Sequence, residues 1–270
     1  MKDDPDETRL REQLQGLPLS EVRFSAETGS TNDDAGRWLE TGAPDAAVVV
    51  TDCQIAGRGR LDRRWITRPG AALAFSLIFH PTPAEMEHLA LFSPLAGLAV
   101  SDGLKAGCGL KAEIKWPNDV LLQRRKVCGI LAETSWQAGR LTGVVLGIGV
   151  NVAPSAVPPA DRLLFPAISV EEAAGHPVER WILLSEILAS LFAWRKKLAS
   201  PEFFQSWESR LAFKGEDVLV QMPDGQLEGK VMGIDPQGGL VLRTPAGKQE
   251  VITVGDVHLR PAHLPPAEQS

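Results

Sequence analysis

Residues 46 to 65 read Ala46-Ala47-Val48-Val49-Val50-Thr51-Asp52-Cys53, then Gln54-Ile55-Ala56-Gly57-Arg58-Gly59-Arg60-Leu61-Asp62-Arg63-Arg64-Trp65. The first eight positions are dominated by β-branched and small apolar residues, the texture of a strand buried on both faces. That strand delivers the chain into a loop of opposite character, where five arginines between Arg58 and Arg68 face a single acid, Asp62. Glycines at 57 and 59 let the backbone approach a ligand closely. Guanidinium groups at Arg58 and Arg60 form charge-assisted hydrogen bonds to carboxylate or phosphate, each worth about 1.5–3 kcal/mol. The pattern reads as a loop built to hold an anion or, taken by itself, as a solvated arginine-rich loop, and it lacks the Gly-Lys-Ser/Thr of a Walker loop.

On the N-terminal side, Gly29-Ser30-Thr31-Asn32-Asp33 precedes Ala35, Trp38 and Leu39 at helical spacing, with Gly42 beyond, which predicts a short helix with Ser30 as its N-cap. On the C-terminal side, Leu73, Phe75, Leu77 and Phe79 alternate as a second strand. Thr82-Pro83-Ala84-Glu85 is a capping box with proline at the first helical position, leading into a mostly buried helix over Leu89 to Leu104. Strands are predicted at Glu113 to Trp116, Val120 to Leu122, Val127 to Thr134 and Leu141 to Val152. Ala153 to Pro166 reads as a Pro/Ala-rich loop, followed by helices at Glu179 to Leu198 and Glu202 to Leu211. Trp181, Leu184, Leu188, Leu191 and Trp194 mark the apolar face of the first of these. After Gly215 the texture becomes short strands separated by turn signals, a small all-β unit of about five strands.

A chain of 270 residues with 44% apolar composition buries a full core with room for one large and one small domain. A net charge of −6 and a pI of 5.5 exclude the broad basic surface of a duplex binder. Three cysteines, Cys53, Cys108 and Cys128, show neither Cys-x-x-Cys spacing nor a disulfide framework, as suits a reducing cytoplasm. No secretory signal opens the chain and no long apolar run is evident, so a cytoplasmic protein with no membrane partner is expected. The five histidines show no metal-ligand spacing.

Lys115-Trp116-Pro117-Asn118-Asp119 places a lysine at a strand end and a carboxylate in a proline turn, and Lys126 follows at the start of Val127-Cys128-Gly129-Ile130-Leu131. A hairpin between those strands brings the two lysines together. Beside the arginine loop they suit a polyphosphate, and Asp119 offers a hard oxygen ligand for Mg2+. Taken one at a time, the same lysines fit solvated hairpin charges and Asp119 a turn former.

These segments, with Gly147-Ile148-Gly149-Val150-Asn151-Val152, occur in an order that resembles the biotin protein ligases, over positions 29 to 152. The resemblance implies an α+β fold: a mixed or antiparallel central sheet with packed helices, class II synthetase-like, over residues 1–212, and an SH3-like β-barrel over 213–262. Residues 263–270 would form a disordered tail. It implies activation of biotin by ATP to biotinyl-adenylate and transfer to a lysine of a biotin carboxyl carrier protein. By the same resemblance Ser30, Thr31, Gln54, Gly57 and Arg58 line the biotin site, and Arg60 and Lys126 hold the biotin carboxylate and the α-phosphate as the catalytic pair. Arg63, Trp65, Lys115, Asn118 and Asn151 serve ATP, and Asp119 the magnesium side. Two cations at the point where two anions meet are what carboxylate attack on a phosphate demands.

The loop departs from the family pattern at Leu61 and Asp62, and Ala167-Ile168-Ser169-Val170 matches it only loosely. The loop is expected to order over the adenylate, with Asp62 weakening that closure. Only 28 residues precede Gly29, too few for a helix-turn-helix unit, so a ligase that does not bind DNA is expected, either a monomer or a homodimer. The rival readings are a lipoate or octanoate ligase or transferase of the same fold, and a non-catalytic binding protein.

Overall fold

The computed structural model describes residues 5–60, 63–163, 165–222, 225–253 and 258–261. Leu61 and Asp62, and the tail at 263–270, lie outside the described residues. The helices are α1 (Pro5–Gln13), α2 (Thr31–Glu40), α3 (Pro83–Met86), α4 (Phe92–Cys108), α5 (Val170–Ala174), α6 (Arg180–Arg195) and α7 (Pro201–Ser209). The strands of the main sheet are β1 (Val22–Thr28), β2 (Ala47–Gln54), β3 (Ala72–Phe79), β4 (Glu113–Lys115), β5 (Asp119–Leu122), β6 (Arg125–Gln137) and β7 (Arg140–Asn151). Among the described residues these seven form one sheet, ordered β1-β2-β3-β7-β6-β5-β4. β1 and β2 run parallel and every other neighbouring pair is antiparallel, so the sheet is mixed as the resemblance implied.

Strand alternation gives the sheet two unlike faces. On the back, Val48 and Val50 of β2, Leu73, Phe75, Leu77 and Phe79 of β3, and Val144, Leu146, Ile148 and Val150 of β7 join the core under α4 and α6. Each such side chain contributes about 1.5–3 kcal/mol on burial. On the front, Ala35, Trp38 and Leu39 of α2 cover only Ala47, Val49, Ile78 and Val145. Beyond that patch one transverse row of register partners on the front runs Thr51, Ala74, Gly149, Gly129, Asp119 and Lys115. Glycine and alanine at its centre leave a trough over the backbone, and the charged pair stands at its end.

Leu89–Cys108, which includes a 3-10 turn before α4, meets the length and apolarity of a membrane span although no such run was expected. Its window is 67% buried, which marks it as the helix on which the back core is built.

A second sheet holds β8 (Asp217–Met222), β9 (Gly225–Ile234), β10 (Leu240–Arg243), β11 (Gln249–Ile252) and β12 (His258–Pro261), ordered β11-β10-β9-β8-β12. The five expected short strands are present, in the SH3-like C-terminal unit. The core does not stop at residue 213: Val218, Val220, Val231, Leu240 and Leu242 belong to the same buried cluster as α4 and α7. Trp116 ties the two units directly, since it is 1% exposed and its Nε1 donates to the Gly238 carbonyl at 2.9 Å. At the β5–β6 turn, Gln123 and Arg124 both take positive φ (50° and 63°), a conformation that suits a two-residue hairpin but not those residue types. Arg124 offsets this by a bidentate pair with Glu216 at 2.7 Å and by lying over the Phe213 ring. Trp116→Phe removes one hydrogen bond and leaves a buried carbonyl unpaired, so the urea midpoint should fall by the equivalent of about 1–3 kcal/mol. An unchanged midpoint would show that the two units do not depend on this bond.

Candidate functional site

The trough over the glycine row opens as two adjoining cavities. The first, of about 130 Å³, is lined by Ser30, Thr31 and Asn32 of the α2 N-terminus, Gln54 at the end of β2, and Gly147 and Gly149 of β7. The second, of about 340 Å³, reaches from Asn151 to Ala156, Arg162 and Phe165 in the Pro/Ala-rich segment. Arg63, Arg64, Trp65, Lys115, Asp119 and Lys126 line both and form the wall between them. Among the described residues, therefore, every sequence-predicted site residue except Gly57 lines one cavity or the other, with Arg58, Arg60 and Asn118 on the first.

Gly57 stands one layer behind. Its carbonyl accepts from Trp65 N at 2.9 Å, and a Cβ on it would run into the Trp65 carbonyl. Together with Gly59 N donating to Arg63 O at 2.7 Å and the Arg58–Arg64 bridge, this pairs residues 57–59 antiparallel with 63–65. That pairing lays Trp65 onto the glycine row, where a Cβ at Gly149 would overlap its indole and one at Gly129 would lie 3.1 Å from it. The two glycines exist to admit a planar group, and the indole marks where one fits.

Ser30 occupies the N-cap position of α2, but its side chain makes no capping bond. Only 2% exposed, it lines the cavity instead. Asn118 ties its turn to β6, its Nδ2 donating to Ile130 O at 2.8 Å while its own carbonyl accepts from Ile130 N at 2.9 Å. Asn151, 4% exposed, donates to Ile168 O at 3.3 Å, which places the loosely matching segment 167–170 against the second cavity. Ser169 caps α5, a helix the sequence did not predict.

The predicted meeting of the lysines occurs, and its agent is Asp119. Lys115 Nζ lies 3.0 Å from Asp119 Oδ2 and Lys126 Nζ 2.6 Å from Oδ1. Burial opposes the Asp119 charge, yet Lys126 and Lys115 outweigh it and hold the carboxyl well below the usual carboxylate range. Burial lowers Lys115, with Lys126 and Arg63 adding to that effect against the opposing pull of Asp119. Phe165 lies 4.9 Å from the Lys115 ammonium, closing the second cavity over it.

This arrangement does not fit a magnesium ion held by the protein at Asp119. Each carboxylate oxygen already faces an ammonium, so the side chain is committed as their counterion. Cys128 lies on the buried side of β6, where burial pushes its thiol well above the ordinary range, so it is inert as expected. Arg64, Asn32 and Phe165 were not anticipated. Arg64 was visible as part of the arginine run, whereas Phe165 lacked any sequence signal.

A polar cavity and a larger apolar one, joined at a wall of cations on a glycine-faced mixed sheet, define a protein that brings two anionic substrates together. Residues 25–151 match the biotin/lipoate A/B protein ligase family, and residues 214–260 match the biotin protein ligase C terminal domain. The chain is 38% identical to a biotin--[acetyl-CoA-carboxylase] ligase of Paracoccus denitrificans, over 84% of this chain and 95% of that one. To the enzyme of the same name from Mycobacterium tuberculosis it is 36% identical, over 94% and 96% of the two chains. Among solved structures, the biotin protein ligase from Aquifex aeolicus in complex with biotin and ATP superposes with a TM-score of 0.78 at 30% identity, covering 90% of this chain and all of that one. This chain belongs to the biotin protein ligase family.

Proposed function

We propose that the protein activates biotin with ATP and transfers it to a lysine of a carboxylase carrier domain. A biotin carboxylate oxygen attacks the α-phosphorus, the bond from the α-phosphorus to the bridging oxygen of pyrophosphate breaks, and biotinyl-adenylate forms. The carrier amine then attacks the acyl carbon, AMP leaves, and the amine gives up a proton. The observation that carries this reading is the shared wall: Arg63, Lys115 and Lys126 face both cavities, so one set of cations meets carboxylate and phosphate alike. Such a reaction needs positioning and charge neutralisation, with no nucleophile from the protein.

In this reading the first cavity takes the biotin rings against Ser30, Thr31 and Gln54, with Arg58 at its rim and Gly57 shaping the paired segment behind it. Arg60 and Lys126 act on the carboxylate and α-phosphate. The second cavity takes the adenylate, with Trp65 and Asn151 at the base, Arg63 and Lys115 toward the phosphates, and Asn118 holding the turn between them. The chemistry uses ATP, and the free cysteines accord with a reducing cytoplasm. The net charge of −6 favours a carrier protein over nucleic acid as the macromolecular partner.

Biotin-dependent exchange of labelled pyrophosphate into ATP tests the reading directly. Exchange with biotin and none with lipoate is the expected result. Exchange that depends on lipoate would move the substrate to the other branch of the family, and none with either acid would remove the activity.

A further inference from the structure

The wall of the first cavity belongs to a longer hydrogen-bond chain that ends at Glu133, a residue outside the roles assigned above. Glu133 Oε1 and Oε2 accept from Arg58 Nη1 and Nη2 at 3.0 and 2.8 Å, and Oε2 also accepts from Asn32 Nδ2 at 2.7 Å. A carboxylate paired with a guanidinium offers only acceptors, so it fixes which end of the Asn32 amide faces it. The Leu131 carbonyl, 3.3 Å from the same Nδ2, is a longer and weaker second acceptor. Asn32 Oδ1 is thereby turned to Ser76 Oγ, 2.6 Å away.

That oxygen cannot donate, so the single hydroxyl proton of Ser76 is committed to it. Ser76 Oγ also lies 2.7 Å from Thr31 Oγ1, and with its own proton used this contact is a hydrogen bond only if Thr31 donates. The longer contact of Thr31 Oγ1 to Gln54 Oε1, at 3.1 Å, is the weaker alternative for the same proton. Ser76, Thr31 and Asn32 are 0, 3 and 6% exposed, so bulk water has little access to reset the chain. Gly147 makes it possible, because a Cβ there would overlap the Asn32 amide.

We infer that Glu133, acting through Asn32 and Ser76, is a positioning residue that fixes the Thr31 hydroxyl as a hydrogen-bond acceptor toward the ligand. The first cavity is thereby selective for a ring N–H over a ring oxygen at that position. The same carboxylate holds Arg58 at the cavity rim, so one residue orders both the wall and the edge. Gln54 is oriented in parallel: its Oε1 accepts from Thr31 N at 2.8 Å, which leaves Nε2 as the amide's donor.

The inference rests on the first cavity being the site of the biotin ring urea, and calorimetric titration separates the two ideas. Wild type is titrated with biotin and with an analogue carrying a ring oxygen in place of one urea N–H. Wild type should prefer biotin by about 10- to 100-fold, the value of one buried hydrogen bond against one oxygen–oxygen clash. Ser76→Ala frees the Thr31 proton to turn to the ring oxygen, and Glu133→Gln lets the Asn32 amide reverse. Both variants should reduce the preference about tenfold, a ratio from which any common loss of folding stability cancels. Variants that fold and keep the wild-type ratio overturn the relay while leaving the biotin site standing. Wild type that binds no biotin overturns the site, and the relay's role with it.

Discussion

Lys126→Ala is expected to cut biotin-dependent pyrophosphate exchange by a factor on the order of 10²–10³, the usual cost of removing one preorganised charge from a developing oxyanion. Lys126 Nζ reaches both cavities from a fixed position, 2.6 Å from Asp119 and 5.8 Å from the centre of the Trp65 ring. A carboxylate approaching an α-phosphate brings two negative groups into contact, and of the two lysines that Asp119 holds, Lys126 is the more open to them, its side chain 26% exposed against 9% for Lys115. The fold should survive, because the structural work at this position is done by the main chain: Lys126 N donates to Pro166 O at 2.8 Å and its carbonyl accepts from Ile168 N at 2.9 Å. Circular dichroism should therefore be unchanged while exchange collapses. Wild-type exchange in a folded variant would show that the lysine is a wall residue only. Lys126→Arg should recover activity in part, since the charge returns but the planar guanidinium cannot reproduce a point charge beside Gly129.

The chemistry was more legible in the sequence than the supports around it, for a physical reason. Residues that meet anionic substrates stand out as charge gathered near glycine, so the arginine loop, Lys115 and Lys126 could be found without a structure. The back face of the sheet was equally plain, because Leu73, Phe75, Leu77 and Phe79 repeat at the strand period and all belong to one core. α1 was missed: its composition is polar, and it is held by Leu10 in the core and by ion pairs of Arg180 to Asp6 and Asp52, partners far apart in the chain. Glu133, Asn32 and Ser76 were missed for the related reason that one polar residue in a strand or helix resembles a solvent-facing position until its partners are known. Trp116 shows the converse. It lies inside a motif read for its substrate contacts, yet the indole is committed to Gly238 of the C-terminal unit. Adjacent residues in one motif can therefore serve the site and the domain junction separately.

Asp119 is where the sequence and the structure assign different work to one side chain, and Asp119→Asn decides between them. As a ligand for magnesium, the carboxylate would be a cost to the metal-free protein, and its removal would stabilise that state or leave it unchanged. As the counterion of Lys115 and Lys126, it is the group that makes one buried and one partly exposed ammonium tolerable side by side, 3.0 and 2.6 Å away. Breaking a buried pair by removing one partner leaves uncompensated charge at a cost of about 3–5 kcal/mol. Burial already lowers Lys115, so the variant relieves part of that cost by releasing its proton, and it would then present one cation fewer to the phosphates. The expected result in protein stripped of metal with EDTA is a urea midpoint lowered by several kcal/mol equivalent at pH 7, with exchange activity depressed as well. The pH dependence has a fixed sign. A carboxyl whose folded pKa is depressed contributes its full stability above the ordinary aspartate value of 3.8, and that contribution is lost as pH falls through the folded value. The gap between wild type and variant should therefore hold from neutrality down to about the ordinary aspartate value of 3.8 and narrow progressively below it. Coincident unfolding curves in EDTA at pH 7 would remove the counterion role and return Asp119 to the metal.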